Sequence, residues 1–298
     1  MDLVAKIVKR GFKSIKKIKI VWNRWILRPY YYFRHKNVPI YQNPTSNELM
    51  NIEKNLKLLG VKVKQALLSN TELEEFKNNF RFPDDYHGGK DGGVWDEKIF
   101  EHFIAYKFCK LDKFSQDDVY VDIACSGSPW VKILREKGYQ AYAIDLKENK
   151  QFEGLEYYIQ ADAKKTNFHD SSVKACSLQC AYEMFIGYDD QLFLNECNRI
   201  LRLGGKVVIA PLYMHTHHCG YSSPEYFRRG HADAGAKEYL RKDCSGIPFS
   251  RKYSPTLLKK RILDYIEKLG MKYEIFQIDN KKKLGYGIYC HFILLITK

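Results

Sequence analysis

The 298-residue sequence lacks several features that would place it in other classes of protein. It has no uncharged apolar run of 18 residues, so we expect no transmembrane helix. Its N-terminus has neither an uninterrupted apolar segment nor a small-residue cleavage site, so we predict no secretory signal. Its eight cysteines form no Cys-x-x-Cys pair, and a chain of this length needs no disulfides. We therefore expect a reduced, cytoplasmic protein.

Acidic residues are almost absent from the first 36 positions, which hold eleven lysines and arginines against Asp2 alone. This segment therefore carries +10 of the net charge of +14. Apolar residues, including Trp22 and Trp25, recur at helical spacing over 2–28. The pattern predicts a basic amphipathic helix on an anionic membrane surface, at the inner face of the cytoplasmic membrane. The alternatives are a helix packed on the protein body and a nucleic-acid-binding arm, but the nearly neutral body does not favour a nucleic-acid partner.

Residues 37–114 form the second predicted region, a helical extension. A helix begins near Ser46, and Thr71 with Glu74 matches a capping box that starts another. A further helix is predicted over 95–110. Four glycines among 88–93 predict a mobile loop just before it. This loop is either a plain linker or a lid that faces a ligand with Tyr86 and His87.

Strand and helix patterns alternate through residues 115–298, which we take as the main domain. The alternation predicts a doubly wound α/β fold with a mostly parallel sheet. The helix over 189–202 is predicted to end at Gly204-Gly205. A long insertion rich in His, Tyr, Gly and Pro interrupts the pattern at 212–254, on the side where a substrate would bind. The seven predicted strands are 119–124, 140–144, 157–161, 173–178, 205–211, 272–278 and 286–297.

The region 119–137 is the centre of this pattern, with a β-branched strand, a turn of small residues and a helix that has Pro129 in its first turn. Small residues let a ligand approach the backbone, and the helix N-terminus favours polar or anionic groups. Asp145 ends the next strand, where α/β nucleotide-binding folds contact ribose hydroxyls. The alternative is a parallel-sheet turn without a ligand.

The order of these motifs resembles the class I S-adenosylmethionine-dependent methyltransferases. In that family an acid-bearing loop follows the first strand, as at 122–128, and acids follow the second and third strands, as at Asp145 and Asp162. A Leu-Arg-x-Gly-Gly run, here 201–205, leads into the fifth strand. The resemblance implies a Rossmann-like methyltransferase fold with a seven-stranded sheet and S-adenosyl-L-methionine as the cofactor.

The resemblance also implies roles for particular residues. Asp145 would accept both ribose hydroxyls, because a carboxylate offers paired acceptors and no donor. Asp162 and the backbone of Ala163 would contact the adenine. The remaining implied cofactor contacts are Asp122, Ala124, Ser126, Gly127 and Gln179. Of the family's usual glycines in the first loop, only Gly127 is present, since Ala124, Ser126 and Ser128 replace the others.

A hydroxyl acceptor would require a general base near neutral pKa and within hydrogen-bond reach. Glu183 is the first candidate because it follows the fourth strand, and His215 and His217 are the next. Tyr213 is predicted on the substrate side. The histidine cluster with Cys219 could indicate zinc, but its spacing matches no common site, so no metal is predicted.

A narrower resemblance concerns residues 122–130, 180–185 and 209–213, with 86–103 before the first strand. These stretches are similar to a bacterial methyltransferase group associated with surface-glycan biosynthesis. We therefore expect O-methylation of a sugar in a cell-surface glycan or its lipid-linked precursor. The alternatives are a nucleic-acid (RNA) methyltransferase and a non-catalytic scaffold with the methyltransferase fold. The oligomeric state is left open.

Overall fold

A computed structural model describes residues 28–89, 93–227, 232–241, 246–285 and 287–298. The amphipathic segment predicted over 2–28 lies outside these residues, except for the backbone of Arg28. The first described element is helix α1 (Arg28–Arg34). The three predicted regions, 1–36, 37–114 and 115–298, stay a prediction.

Two helices of the N-terminal extension, α2 (Ser46–Leu58) and α3 (Asn70–Asn79), begin with capping boxes. The capping box predicted at Thr71 is wrong by two positions. Ser69 is the N-cap, because its Oγ accepts the Glu72 N–H at 3.1 Å and the Glu72 carboxylate accepts the Ser69 N–H at 3.1 Å. This pairing satisfies two backbone donors at the helix start, which Thr71 inside the first turn does not do.

Helix α4 (Trp95–Cys109) confirms the helix predicted over 95–110 to within one residue. Lys110 ends it in the left-handed conformation. Of the predicted buried face, Ile99, Phe100, Phe103 and Ile104 are buried. Polar residues on the same helix are also buried, which an amphipathic helix packed on one face does not show.

The main sheet contains all seven predicted strands and confirms the predicted fold class. An additional strand, Val63–Gln65 from the N-terminal extension, pairs in parallel with the strand at 272–277. In chain order the strands of this sheet and its helices are β1 (Val63–Gln65), β2 (Val119–Ile123), α5 (Trp130–Glu136), β3 (Gln140–Asp145), β4 (Tyr158–Gln160), β5 (Val173–Gln179), α6 (Asp189–Ile200) and β6 (Leu201–Ala210).

Three short strands follow within 212–254, and the main sheet is then completed by the last two strands. The elements in chain order are β7 (Cys219–Ser222), β8 (Lys237–Leu240), β9 (Ser250–Lys252), α7 (Pro255–Leu258), a π-helical turn (Lys259–Leu263), α8 (Asp264–Lys268), β10 (Lys272–Gln277), α9 (Lys281–Leu284) and β11 (Phe292–Thr297). The main sheet has the order β1-β10-β11-β6-β5-β2-β3-β4, and only β11 is antiparallel to its neighbours.

The Gly204-Gly205 pair does not end α6 as predicted, because the helix ends at Ile200. The pair lies in an irregularity of β6, where the register with β5 shifts between Leu201 and Lys206. Gly204 has φ of 76°, and a Cβ on Gly205 would lie 2.7 Å from the carbonyl oxygen of Arg202. Glycine is therefore required by the bulge.

The insertion at 212–254 contains the small sheet β8-β7-β9, in which β7 is parallel to β8 and antiparallel to β9. Arg251 on β9 is fully buried and joins this sheet to α6, since its guanidinium donates to Asp190 at 2.8 Å. The insertion is thus a folded layer that packs on the main domain.

Apolar side chains cover both faces of the main sheet, as expected for parallel strands between helices. One face packs against α2, α6, α7 and α8, and the other packs against α3, α4 and α5. This three-layer arrangement leaves the carboxyl ends of β2, β3 and β5 at one edge, where ligands bind in doubly wound folds.

Candidate active site

The loop after β2 takes backbone conformations that usually require glycine. Ala124 has φ of 56° and Ser126 has φ of 50°, both in the left-handed region. A residue with a Cβ pays a free-energy cost there. The Ser126 N–H donates to Asp145 Oδ2 at 2.9 Å, and Asn149 Nδ2 donates to the Ser126 carbonyl at 3.0 Å. The loop thus keeps the shape of a glycine loop although Gly127 is its only glycine.

Asp145 ends β3, as predicted, and lines a cavity of about 390 Å³ that we call the Asp145 cavity. Its carboxylate accepts backbone N–H groups of Ser126 and Lys147, the second at 3.0 Å. Each oxygen has further acceptor capacity for a ligand hydroxyl. Phe152 and Gln160 line the same cavity.

A larger cavity of about 610 Å³, which we call the Glu183 cavity, shares Cys125 and Ser126 with the Asp145 cavity. The shared loop places the two spaces side by side at the carboxyl ends of the strands. Six residues predicted to contact cofactor or substrate line the Glu183 cavity: Tyr86, His87, Ala124, Ser126, Gln179 and Glu183. Tyr213, predicted on the substrate side, also lines it.

Glu183 lies in a 3₁₀ turn (Tyr182–Met184) directly after β5. Its side chain is buried, and Oε2 has no hydrogen-bond partner among the described residues. Burial raises the pKa of Glu183 above its usual value, while the positive charges of Lys252 and Lys98 oppose that rise. A carboxylate with an open oxygen and a raised pKa is suited to accept a proton from a ligand.

Sequence reasoning missed a polar group on α4 that completes the wall of this cavity. Glu101 is fully buried, and its carboxylate accepts from Lys98 Nζ at 2.8 Å and from Cys180 Sγ at 2.9 Å. The hydroxyls of Tyr213 and Tyr289 lie 3.2 and 3.4 Å from Cys180 Sγ. The signal in the sequence was the pair of polar dipeptides Glu97-Lys98 and Glu101-His102 among the apolar residues of this helix.

His102 connects the Gly-rich loop to the turn after β2. Its Nε2 lies 3.1 Å from the Tyr86 hydroxyl and 3.3 Å from Ser128 Oγ. Burial lowers the pKa of His102 well below its usual value, so the imidazole is neutral. Burial and the charge of Lys98 also lower the pKa of His87, to about 4. Both histidines therefore act as neutral groups near pH 7.

Asp122 lies in β2 behind the loop and is fully buried. Neither carboxylate oxygen has a hydrogen-bond partner among the described residues. Burial raises the pKa of Asp122, and the negative charges of Asp145 and Glu101 add to the rise. Burial of an unpaired charge is costly, so the protonated form is favoured. Asp122, predicted to contact the cofactor, is not among the residues that line the two cavities.

Asp162 and Ala163, predicted to contact adenine, lie in a turn after β4. The Asp162 side chain is 41% exposed, accepts the Lys164 N–H at 3.0 Å and lies 3.5 Å from Lys164 Nζ. Neither residue is among those that line the two cavities. Their contact with adenine stays a prediction.

His215 and His217 lie on the segment that leads into β7, with ring centroids 4.3 Å apart. Neither is among the described residues that line the Glu183 cavity. The Tyr239 hydroxyl lies 2.9 Å from His217 Nε2. The structure therefore brings Glu183, but not these histidines, to the cavity beside the loop after β2.

The described residues include no helix that is long and apolar enough to span a membrane.

A comparison with known proteins finds a methyltransferase domain in the part of the chain that carries this site. Residues 121–209 match a family model described as "Methyltransferase domain". No curated protein sequence matches the chain. The match covers β2 to β6, which carry the loop, Asp145 and Glu183.

Solved structures with the same fold have low sequence identity to this chain. A Bacillus halodurans protein is 19% identical over 37% of this chain and 51% of its own, with a TM-score of 0.31. A Burkholderia thailandensis 1,6-didemethyltoxoflavin-N1-methyltransferase with bound S-adenosylhomocysteine is 12% identical over 79% and 92%, with a TM-score of 0.45. A SAM-dependent methyltransferase from Archaeoglobus fulgidus is 15% identical over 76% and 99%, with a TM-score of 0.39.

The family match therefore carries the assignment, since these structural similarities are weak. The chain thus contains a methyltransferase domain and is an enzyme, as predicted.

Proposed function

We propose that this S-adenosylmethionine-dependent methyltransferase methylates a sugar hydroxyl of a cell-surface glycan or of its lipid-linked precursor. The observation that supports it most is Glu183, whose unpartnered oxygen belongs to a buried carboxylate on the wall of the cavity beside the cofactor loop. A hydroxyl acceptor must lose a proton as its oxygen gains the methyl group, and a carboxylate in this place is suited to take it.

The residues around the Asp145 cavity fit the cofactor. When bound, S-adenosyl-L-methionine supplies a methyl group on a positively charged sulfur. We assign Asp145 to the ribose hydroxyls, because its oxygens retain acceptor capacity. The unpartnered Asp122 carboxylate fits behind a ligand with positive charge, since a nearby cation would offset its burial. The loop at 124–128 brings the backbone close to both cavities.

The aromatic part of the lining of the Glu183 cavity fits a sugar ring. Tyr213 and Tyr289 present nearly parallel rings, with centroids 6.3 Å apart and planes at 20°. Aromatic faces pack against the apolar face of a pyranose, while carboxylates and hydroxyls bond its polar edge. Glu101 and the Tyr86 hydroxyl supply such polar groups on the same wall. We assign the acceptor to this side.

The proton step depends on the protonation state of Glu183. Because its pKa is raised by burial, its carboxylate is a stronger base than an exposed glutamate. Lys98 and Lys252 limit that rise with their positive charge, which favours the ionised form. The bound cofactor would supply the methyl group to the acceptor oxygen and keep the sulfur as the leaving group, and Glu183 would take the hydroxyl proton.

Mass spectrometry of the surface glycan, from cells with and without the protein, tests the proposal. Cells that lack it should show a glycan lighter by one methylene for each missing methyl group. Cells that carry Glu183→Gln should show the same loss, and cells that carry Glu75→Gln, on the exposed side of α3, should keep the mass. An unchanged glycan contradicts the proposal. Transfer of labelled methyl to RNA by the purified enzyme would support the RNA alternative.

We also propose that residues 1–28 hold the enzyme on an anionic membrane, near a lipid-linked acceptor. Each basic residue near such a surface contributes about 1 kcal/mol, and salt screens much of it. The full chain should float with anionic liposomes and much less with neutral ones. A variant with Lys6, Lys9, Lys13 and Lys16 changed to Glu should stay unbound. Equal flotation of both proteins would contradict this proposal.

A further inference from the structure

Three side chains in the insertion form a group with the geometry of metal ligands. His215, His217 and Cys219 occupy alternate positions of the segment that leads into β7, which bends at Thr216 and His217. One ligand atom from each lies within 4.8 Å of the others. Sequence spacing excluded a common zinc motif because no distal ligand pair was visible. The folded segment needs no distal pair, since it supplies three ligands locally.

We propose that His215, His217 and Cys219 bind a zinc ion that stabilises the insertion at 212–254. Two imidazoles and a thiolate are ligands that Zn²⁺ prefers, and a tetrahedral site keeps one further position for water or another side chain. Small ligand shifts would bring separations of up to 4.8 Å to the spacing of a tetrahedral site.

The protonation states of the two imidazoles favour binding. Burial lowers the pKa of His215, and it also lowers the pKa of His217, so both rings are neutral near pH 7 and have a lone pair for a metal. The carboxylate of Glu48 acts on both rings and adds negative charge for a cation.

Cys219 must lose its thiol proton before its sulfur binds a metal as a thiolate. Burial raises the pKa of Cys219 to about 12, while the positive charges of Lys252 and Lys237 oppose this rise. Metal binding would displace the thiol proton, as it does in other thiolate sites. The same lysines repel a cation, and Lys237 also lowers the pKa of His217. We therefore expect affinity that increases with pH.

Neighbouring groups contact the ring nitrogens, and a metal would take one nitrogen of each ring and leave the other to such an outer partner. Tyr239 on β8 places its hydroxyl 2.9 Å from His217 Nε2. Thr216 Oγ1 lies 3.2 Å from Nδ1 of both His215 and His217. A metal here would fix the segment after Tyr213 to β7, and Tyr213 lines the Glu183 cavity. The ion would thus hold one wall of the acceptor cavity in place.

Titration of the full-length, metal-free protein with Co²⁺ tests the proposal, because Co²⁺ replaces Zn²⁺ and absorbs light. We expect one Co²⁺ per chain, with a thiolate-to-cobalt charge-transfer band that Zn²⁺ abolishes. Cys219→Ser should lose the band. His215→Asn and His217→Asn should each weaken binding by at least about tenfold. His218→Asn is the matched control and should bind Co²⁺ as the parent does.

Binding that leaves the charge-transfer band intact in Cys219→Ser would overturn the proposal, and so would the absence of stoichiometric binding to the parent. Circular dichroism must first show that each variant is folded. If Cys219→Ser does not fold, His217→Asn decides the outcome. A thermal readout is independent of absorption: Zn²⁺ should raise the melting temperature of the parent and of His218→Asn but not that of His217→Asn.

Discussion

Two aspartates in this protein are equally buried but have opposite surroundings. Asp122 in β2 and Asp190 in α6 both have no exposed side-chain area. The Asp190 carboxylate accepts from Arg251 at 2.8 Å, from Arg261 at 2.7 Å and from the Tyr253 hydroxyl at 2.7 Å. Asp122 has no such partner for either oxygen.

The difference separates an acid that is paired inside the protein from one that is not. Arg251 and Arg261 bind Asp190 and hold the insertion and the π-helical turn Lys259–Leu263 against α6, so its burial is compensated inside the protein. Asp122 has no such compensation among the described residues, and burial raises its pKa instead. Glu183 resembles Asp122, since one of its oxygens is also unpartnered. A change at Asp190 should therefore mainly lower the stability, whereas a change at Asp122 or Glu183 should mainly lower the activity.

Asp190→Ala should produce the largest effect, a loss of about 3–5 kcal/mol in the free energy of unfolding, because it leaves buried Arg251 without that partner. Urea unfolding measures it. Asp170→Ala is the control, since Asp170 is an exposed partner of Arg199 and its loss should change stability by less than about 0.5 kcal/mol. An equal loss in the free energy of unfolding in Asp190→Ala and Asp170→Ala would contradict the structural role of Asp190.

Glu183→Gln should lower kcat by about 100-fold, equivalent to about 2.7 kcal/mol, because the amide does not accept the proton. Cofactor affinity, measured by calorimetry, should stay within about twofold. Parent kcat should rise with pH through the raised pKa of Glu183, because only the ionised carboxylate is a base. A turnover equal to that of the parent would exclude Glu183 as the base.

Asp145→Ala should weaken S-adenosyl-L-methionine binding by at least tenfold, roughly 1.4 kcal/mol. The reason is the loss of the ribose acceptor and of the hydrogen bond that holds the Ser126 N–H. Calorimetry with Asp145→Asn separates these two parts, because the amide oxygen still accepts one bond. Unchanged affinity in Asp145→Ala would show that the ribose binds elsewhere.

Asp122→Asn should produce the smallest effect and one of opposite sign to Asp190→Ala. Burial raises the pKa of Asp122, so the folded state retains a proton that the unfolded state has lost. The corresponding stability is present at low pH and is lost as the pH rises through the raised pKa. The cofactor-free variant should therefore become more stable than the parent as the pH rises above the usual pKa of an aspartate, by about 1 kcal/mol. Cofactor affinity should fall in the same variant. Melting temperatures that track each other at all pH values would contradict a raised pKa of Asp122.

Much of the fold followed from local patterns. Seven strands, α4 and the acid at the end of β3 were predicted because each depends on residues close together in the chain. Errors arose where one residue type is common in two different local structures. Gly204 and Gly205 predicted a helix stop, but they allow a bulge in β6. Thr71 matched a capping pattern that Ser69 satisfies with its own side chain.

The candidate site was predictable where the residue lies at the carboxyl end of a strand, as Asp145 and Glu183 do. It was not predictable where long-range packing brings α4 to the loop, because nothing local relates Glu101 to Cys180 across 79 positions. The loop with Tyr86 and His87 was predicted only as a choice between a linker and a lid, and both residues line the Glu183 cavity.

The sequence by itself determined the alternation of strands and helices, the acids that follow the strands and the basic N-terminal segment, because these depend on side-chain periodicity and composition. Only the tertiary structure decided which buried acids are paired and which are not. That outcome depends on whether Arg251 and Arg261, 61 and 71 residues along the chain from Asp190, reach it when the insertion and the π-helical turn after α7 pack on α6. Pairing across such distances arises from the packing of whole layers, and no local pattern encodes it.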